Sequence, residues 1–282
     1  MSFSRQFFRI ALISAVYILG PAILRVPVVA DTVSGKTSPG TEIICTTTAL
    51  GSVLNVVGGT NLNVHIFTPF GMCPGHFDLS PGEAAKLREA DLLFFHGFEL
   101  FLKGIDLKKG ARPVQVEVHG NWMNPEIYKN AVIETERILS GYFPEQRWTF
   151  AMNRDRYIGA IDEAILKFDE CIARFAGTKV VCSEMNQDFV ERMGLTVVAT
   201  FPRDGNISLK VMSKTVQAGR DGGVKLVIDN IQSSGKTGRT IAAELGVPLV
   251  MLSNFPRSGS GAEYWYIETL LESCSEIARN LP

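Results

Sequence analysis

A chain of 282 residues that is 46% hydrophobic is long and apolar enough to bury one large core or two smaller ones. Its 28 basic and 29 acidic side chains are well mixed, and a formal net charge of −1 argues against a nucleic-acid partner. Five cysteines (Cys45, Cys73, Cys171, Cys182 and Cys274) are too few for a disulfide scaffold and odd in number. In an oxidising compartment one bridge is expected, and at least one thiol then stays free or holds something. The sequence leaves open which cysteines pair.

Residues 1–30 read as an export signal. Arg5 and Arg9 make a positive start, Ile10 to Leu24 is uncharged, and Val28 and Ala30 are small residues suited to cleavage before Asp31. Arg25 and Pro27 follow the apolar run too soon for a comfortable membrane span, a retained anchor being the alternative. No Leu-x-x-Cys lipid-attachment pattern lies near the cleavage site. The segment carries Arg5, Arg9 and Arg25 and no acid, so the mature chain keeps 25 basic against 29 acidic side chains, a charge near −4. The expectation is a monomeric exported protein of the bacterial periplasm, cleaved after Ala30.

The mature chain alternates strands with helices. Strand-like runs fall at Glu42–Thr47, Asn63–Thr68, Leu92–Phe95 and Val114–Val118, then at Lys179–Ser183, Thr196–Ala199, Lys225–Asp229 and Pro248–Leu252. Most are continuous β-branched or aliphatic runs, the pattern of strands buried on both faces. Helical patterns lie at Leu50–Val57, Ser80–Glu89, Ser208–Gly219, Lys236–Leu245 and Ala262–Ala278, which predicts parallel sheets built from α/β units. From Pro125 to Phe175 the chain is helix-compatible throughout, broken once near Gly141–Pro144. In Trp148–Phe175 the apolar Ile158, Ile161, Ile165, Phe168 and Ile172 recur at three- and four-residue spacing, an amphipathic helix of roughly seven turns. It either joins two lobes or forms a helical hairpin inside one large domain.

Chemistry-bearing residues cluster where strands end. The stretch from Phe67 to His96, FTPFGMCPGHFDLSPGEAAKLREADLLFFH, presents His76 on a strand-to-helix loop. A histidine so placed can bind a metal or serve as an ordinary loop or capping residue. His119 stands in VHGNWMNP, either reaching a cleft or capping its strand. Glu184 follows the strand KVVCS, and Ser253 and Asn254 follow PLVML. Cys73 and Cys182 flank His76 and Glu184; they are open to a mixed sulfur, nitrogen and oxygen site, to a bridge between lobes, or to inert thiols. Ser234-Gly235-Lys236-Thr237 resembles the end of a phosphate-binding loop, but the full pattern needs a glycine at position 230, which is Asn230. No nucleophile–base constellation or carboxylate pair stands out, so an enzyme is not expected. His65 and His96 lie in or at the end of strands and read as structural.

The 67–97 block, the 120–125 run and the 180–195 run together resemble the periplasmic zinc- and manganese-binding receptors of ABC transporters. The likeness follows the order of elements over nearly the whole mature chain. It implies an α/β protein of two lobes, each with a mainly parallel four-stranded sheet, bridged by one long helix with the ligand cleft between. On that reading 1–30 is the signal peptide, 31–123 the first lobe, 124–176 the helical segment and 177–282 the second lobe. The resemblance places the metal ligands at His76, at Glu184 and after the last strand, where Asn254 stands in for the family's aspartate. The family's second histidine, in a Pro-His pair after the fourth strand, has no direct counterpart, and His119 is the substitute. Glu at the third position goes with manganese more than zinc in the family. His76 and Glu184 are expected to converge within about 5 Å around a shared ion, given bonds near 2.0–2.2 Å. A third donor is expected from His119, Cys73, Cys182 or Asn254. The implied function is capture of a divalent transition metal (zinc or manganese) for an ABC transporter permease. The alternative is a non-transport relative, adhesin-like or an assembly protein, that keeps the fold with a degenerate site.

Overall fold

Two separate sheets carry the molecule. The computed structural model describes residues 41–203, 207–259, 261 and 264–281; the expected export signal lies outside them. The first sheet contains β1 (Ile43–Cys45), β2 (Val64–Ile66), β3 (Leu92–Phe95) and β4 (Arg112–Gln115), in the order β2-β1-β3-β4. The second contains β5 (Lys179–Ser183), β6 (Thr196–Phe201), β7 (Leu226–Asn230) and β8 (Leu249–Leu252), in the order β6-β5-β7-β8. Every neighbouring pair is parallel, as between Ile44 and both His65 and Leu93, or between Cys182 and Ile228. Central β1 and β7 are buried along their whole length, which is why they read as unbroken aliphatic runs.

Parallel neighbours require crossovers, and helices supply them. α1 (Thr48–Gly58) starts where Thr47 Oγ1 accepts from the Leu50 amide at 3.2 Å. α2 (Pro81–Arg88) opens with a reciprocal Ser80/Glu83 capping box and a proline in its first turn. The fourth strand begins two residues earlier than the Val114–Val118 pattern predicts. It includes Pro113, tolerated because β4 is an edge strand. The second lobe adds α5 (Gln187–Arg192), a short helix the periodicity did not reveal, and α6 (Leu209–Gly222), α7 (Lys236–Leu245) and α8 (Trp265–Asn280).

Between the sheets run α3 (Pro125–Tyr142) and α4 (Arg147–Ile172), the latter continuous over 26 residues, in place of the predicted 148–175. The break falls at Phe143, followed by a 3₁₀ turn over Pro144–Gln146. Near its start α4 is tied to the first lobe, where Asn153 Nδ2 donates to the Val57 carbonyl at 2.9 Å. Near its end Phe168 stacks on Phe189 of α5, and Cys171 is bonded to Cys274 of α8. Tyr128 of α3 stacks on Tyr266 of α8 at 3.6 Å between ring centroids, and donates to Ser52 Oγ at 2.8 Å. Side chains from both sheets, α1, α3, α4 and α8 therefore share one continuous hydrophobic core. The single bridge leaves Cys45, Cys73 and Cys182 as thiols.

That bridge closes a loop of 103 residues in sequence separation, so its main effect is to restrict the unfolded chain. Paired Cys171→Ser and Cys274→Ser changes should lower unfolding free energy by about 2–4 kcal/mol, read by denaturant titration. Thiol labelling of the native protein should modify Cys73 alone, because Cys45 and Cys182 are buried in the core.

Candidate functional site

In open parallel sheets, ligands bind outside the carboxyl ends of the strands. Here those ends from both sheets meet. The first lobe brings residues 46–47, 67–76, 96–99 and 116–124; the second brings 184–188, 202–203, 231–235 and 253–257. Contacts across this boundary include the Arg257 guanidinium over the Phe70 ring at 5.4 Å.

His76 lies in a 3₁₀ turn over Pro74–His76 on the first-lobe side and is exposed. Its partner is Arg203, just past β6 in the second lobe, whose Nη1 lies 2.6 Å from His76 Nδ1. The same Nη1 donates to Cys73 Sγ at 2.9 Å, and Nη2 reaches the Gln232 carbonyl at 3.5 Å. A guanidinium has donors only, so Nδ1 must be the acceptor and the ring proton sits on Nε2.

A second cluster is built from amides. Asn254 Oδ1 accepts from Asn121 Nδ2 of the first lobe and from Asn186 Nδ2, both at 2.9 Å. The Asn254 amide donates to Gln232 Oε1 at 3.0 Å, and Gln232 Nε2 donates to Ser253 Oγ at 2.9 Å. Asn121 also donates to the Met185 carbonyl and, through its main-chain amide, to Asp188, each at 3.1 Å. Both lone pairs of Asn254 Oδ1 are thus occupied by N–H donors.

The four predicted donors are not gathered. His76 faces Arg203, Asn254 is spent on its amide neighbours, and Glu184 and His119 are exposed. Among the described residues, no three His, Cys, Asp or Glu side chains form a group able to hold a metal ion. Cys182 is corrected from a possible cleft ligand to a core residue: it is fully buried in β5, and burial pushes its thiol up to about 12. The phosphate-loop reading fails for a specific reason. The buried Asp229 carboxylate accepts from the Gly238 amide at 3.0 Å, placing the protein's own anion at the start of α7.

The first lobe also holds a buried carboxylate beside a histidine. Glu99 accepts from Thr46 Oγ1 at 2.5 Å, the His96 amide at 2.9 Å and the Gly97 amide at 2.7 Å. His96 stacks on Phe98, meets Trp122 edge-on at 4.6 Å, and pairs through Nε2 with Thr47 Oγ1 at 2.8 Å. Packing removes water from most of the ring, and this desolvation pulls its pKa down to about 4 against the opposing pull of Glu99. His96, just past the end of β3, is held by these rings and by the Thr47 hydroxyl. Sequence reasoning missed Arg203, Asn121, Asn186 and Gln232. The available signal was position, since each lies within a few residues of a strand's carboxyl end.

Two four-stranded parallel sheets with carboxyl ends opposed across a cleft define a two-lobed α/β protein of the ligand-binding type. The family model described as zinc-uptake complex component A, periplasmic (ZnuA) matches residues 43–280, and the chain belongs to that family. The manganese-bound periplasmic metal-binding protein from Candidatus Liberibacter asiaticus is similar in structure, with a TM-score of 0.72 at 17% identity over 85% of this chain and 99% of that one. Its cadmium-bound form matches with the same figures. A crystal structure of ZnuA matches with a TM-score of 0.68 at 16% identity, over 86% of this chain and 100% of that one. No curated protein matches the chain.

His96 makes the fold acid-sensitive. Its folded pKa is near 4 and its ordinary value 6.5, so between these pH values the unfolded chain binds the extra proton. Stability should be complete above about pH 6.5 and fall on the order of 1–3 kcal/mol as pH drops towards 4. Denaturant unfolding across that window should show a smaller drop in His96→Gln; an equal drop would assign the effect to other groups.

Proposed function

We propose that this chain is a periplasmic receptor that captures a divalent transition metal, zinc or manganese, and delivers it to an ABC transporter permease in the inner membrane. The observation that carries the reading is the family match over residues 43–280, nearly all of the described chain. In support, the His76 loop sits at the carboxyl edge of the first sheet and faces the second lobe. On this reading the protein is exported by cleavage after Ala30, works as a monomer and is not an enzyme. His76 is the central ligand, and Glu184, His119 and the Asn254 region supply oxygen and nitrogen donors. The donors must then be brought together on binding, which requires side chains and loops at the cleft to rearrange.

A second reading has its own support. The engagement of His76 by Arg203 and of Asn254 by two amides suits a relative, adhesin-like or an assembly protein, whose metal site has decayed. Thermal melting with added metal separates the two. A ligand present at about 100 times its Kd adds about 2.7 kcal/mol, roughly 5–10 °C in Tm for a chain of this size. Zinc or manganese should produce such a shift in the mature protein and not in His76→Ala. No shift in wild type, or an equal one in the variant, leaves the degenerate-site reading standing.

A further inference from the structure

We propose that Arg203 is a tethered competitor of the metal, a built-in cation that occupies the donors of the His76 loop and sets how tightly the cleft binds. The inference rests on the reading of His76 as a metal ligand. One guanidinium nitrogen lies 2.6 Å from His76 Nδ1 and 2.9 Å from Cys73 Sγ, so a single cationic group engages the nitrogen and the sulfur together. A zinc–nitrogen bond is about 2.0–2.1 Å long, so a metal on Nδ1 and the guanidinium nitrogen cannot share that lone pair.

The other ring nitrogen is closed as well. With Arg203 donating to Nδ1, the ring proton resides on Nε2, and a protonated nitrogen has no lone pair to give. Histidines that bind metal normally turn the remaining N–H toward an acceptor, such as a carboxylate or carbonyl. Arg203 is the opposite, a donor of fixed positive charge that cannot be deprotonated. A divalent ion a few ångströms from it is also repelled by that fixed charge.

Arg203 comes from the lobe opposite His76, so its contact is also a tie between lobes. The same guanidinium reaches the Gln232 carbonyl at 3.5 Å, and the Gln232 side chain accepts from the Asn254 amide. Arg203 and the Asn254–Asn121 amide pair therefore span the boundary side by side. Metal entry at His76 must lift the guanidinium away and break its tie, so the binding energy is reduced by what that displacement costs. The arginine lowers the affinity for every ion by the same factor, so an ion that binds weakly falls below useful occupancy first.

The test is zinc and manganese titration of the mature protein by calorimetry, comparing wild type, Arg203→Ala, Arg203→Lys, His76→Ala and the Arg203→Ala/His76→Ala double variant. Metal-free near-ultraviolet circular dichroism of each verifies that the fold is intact, and the lysine variant keeps the charge on a more mobile stem. Arg203→Ala should bind zinc about tenfold or more tightly than wild type, with Arg203→Lys in between. The gain should vanish in the double variant. If His76→Ala weakens binding but Arg203→Ala is no tighter than wild type, the competitor role is overturned while the metal-receptor reading stands. A gain that survives in the double variant overturns it too, since Arg203 would then act as a general charge and not through His76. If neither wild type nor Arg203→Ala binds zinc or manganese, both readings fall.

Discussion

The arrangement depends on one helix that belongs to both halves. α4 is 26 residues long, about 39 Å at 1.5 Å per residue, so its ends reach different lobes. Asn153 and Tyr157 in its first half pack on α1 and α3 beside the first sheet. Phe168, Asp169 and Cys171 in its second half hold the second lobe, through Phe189, Arg192 and the bridge to Cys274. Because this strut shares a continuous core with both sheets, the strand ends facing the cleft are held opposite one another by packing far from the cleft itself. Large hinge motion is disfavoured by such a core, and rearrangement is confined more readily to cleft loops and side chains.

The chemistry at the cleft follows from what those loops bring. Across the boundary stand carboxamides (Asn121, Asn186, Asn254 and Gln232), hydroxyls, the Asp188 carboxylate, the guanidinium groups of Arg203 and Arg257, and the His76–Cys73 imidazole–thiol pair. Most of these amides find partners in each other, which ties the lobes without adding charge, while the buried Asn186 Oδ1 is left with no partner among the described residues. Arg203 adds a charge-assisted contact to the same boundary. A cleft of this composition is closed by its own side chains, so any incoming cation must replace contacts that already exist.

Much of the fold was legible in the sequence because its signals are local. The runs around Ile43–Cys45, Lys179–Ser183 and Leu226–Asn230 are continuous and apolar because both faces of those strands are covered. The three- and four-residue spacing from Ile158 to Ile172 is the buried face of α4. The cleft was harder to read because its contacts join distant segments: His76 and Arg203 are 127 residues apart, and Asn121 and Asn254 are 133. Nothing in the local pattern of Pro202–Arg203 tells which loop of the other lobe it meets. The pairing of Cys171 with Cys274, 103 residues on, is hidden for the same reason: it is decided by the packing of α4 on α8.

Whether His76 holds the ion can be seen in a crystal structure of the mature protein grown with zinc, read by anomalous scattering at the zinc edge. A peak is expected in the cleft about 2.0–2.1 Å from a nitrogen of His76, with the Arg203 guanidinium moved off that ring. Density that keeps Arg203 on His76 Nδ1, with no anomalous peak between the lobes, would contradict it.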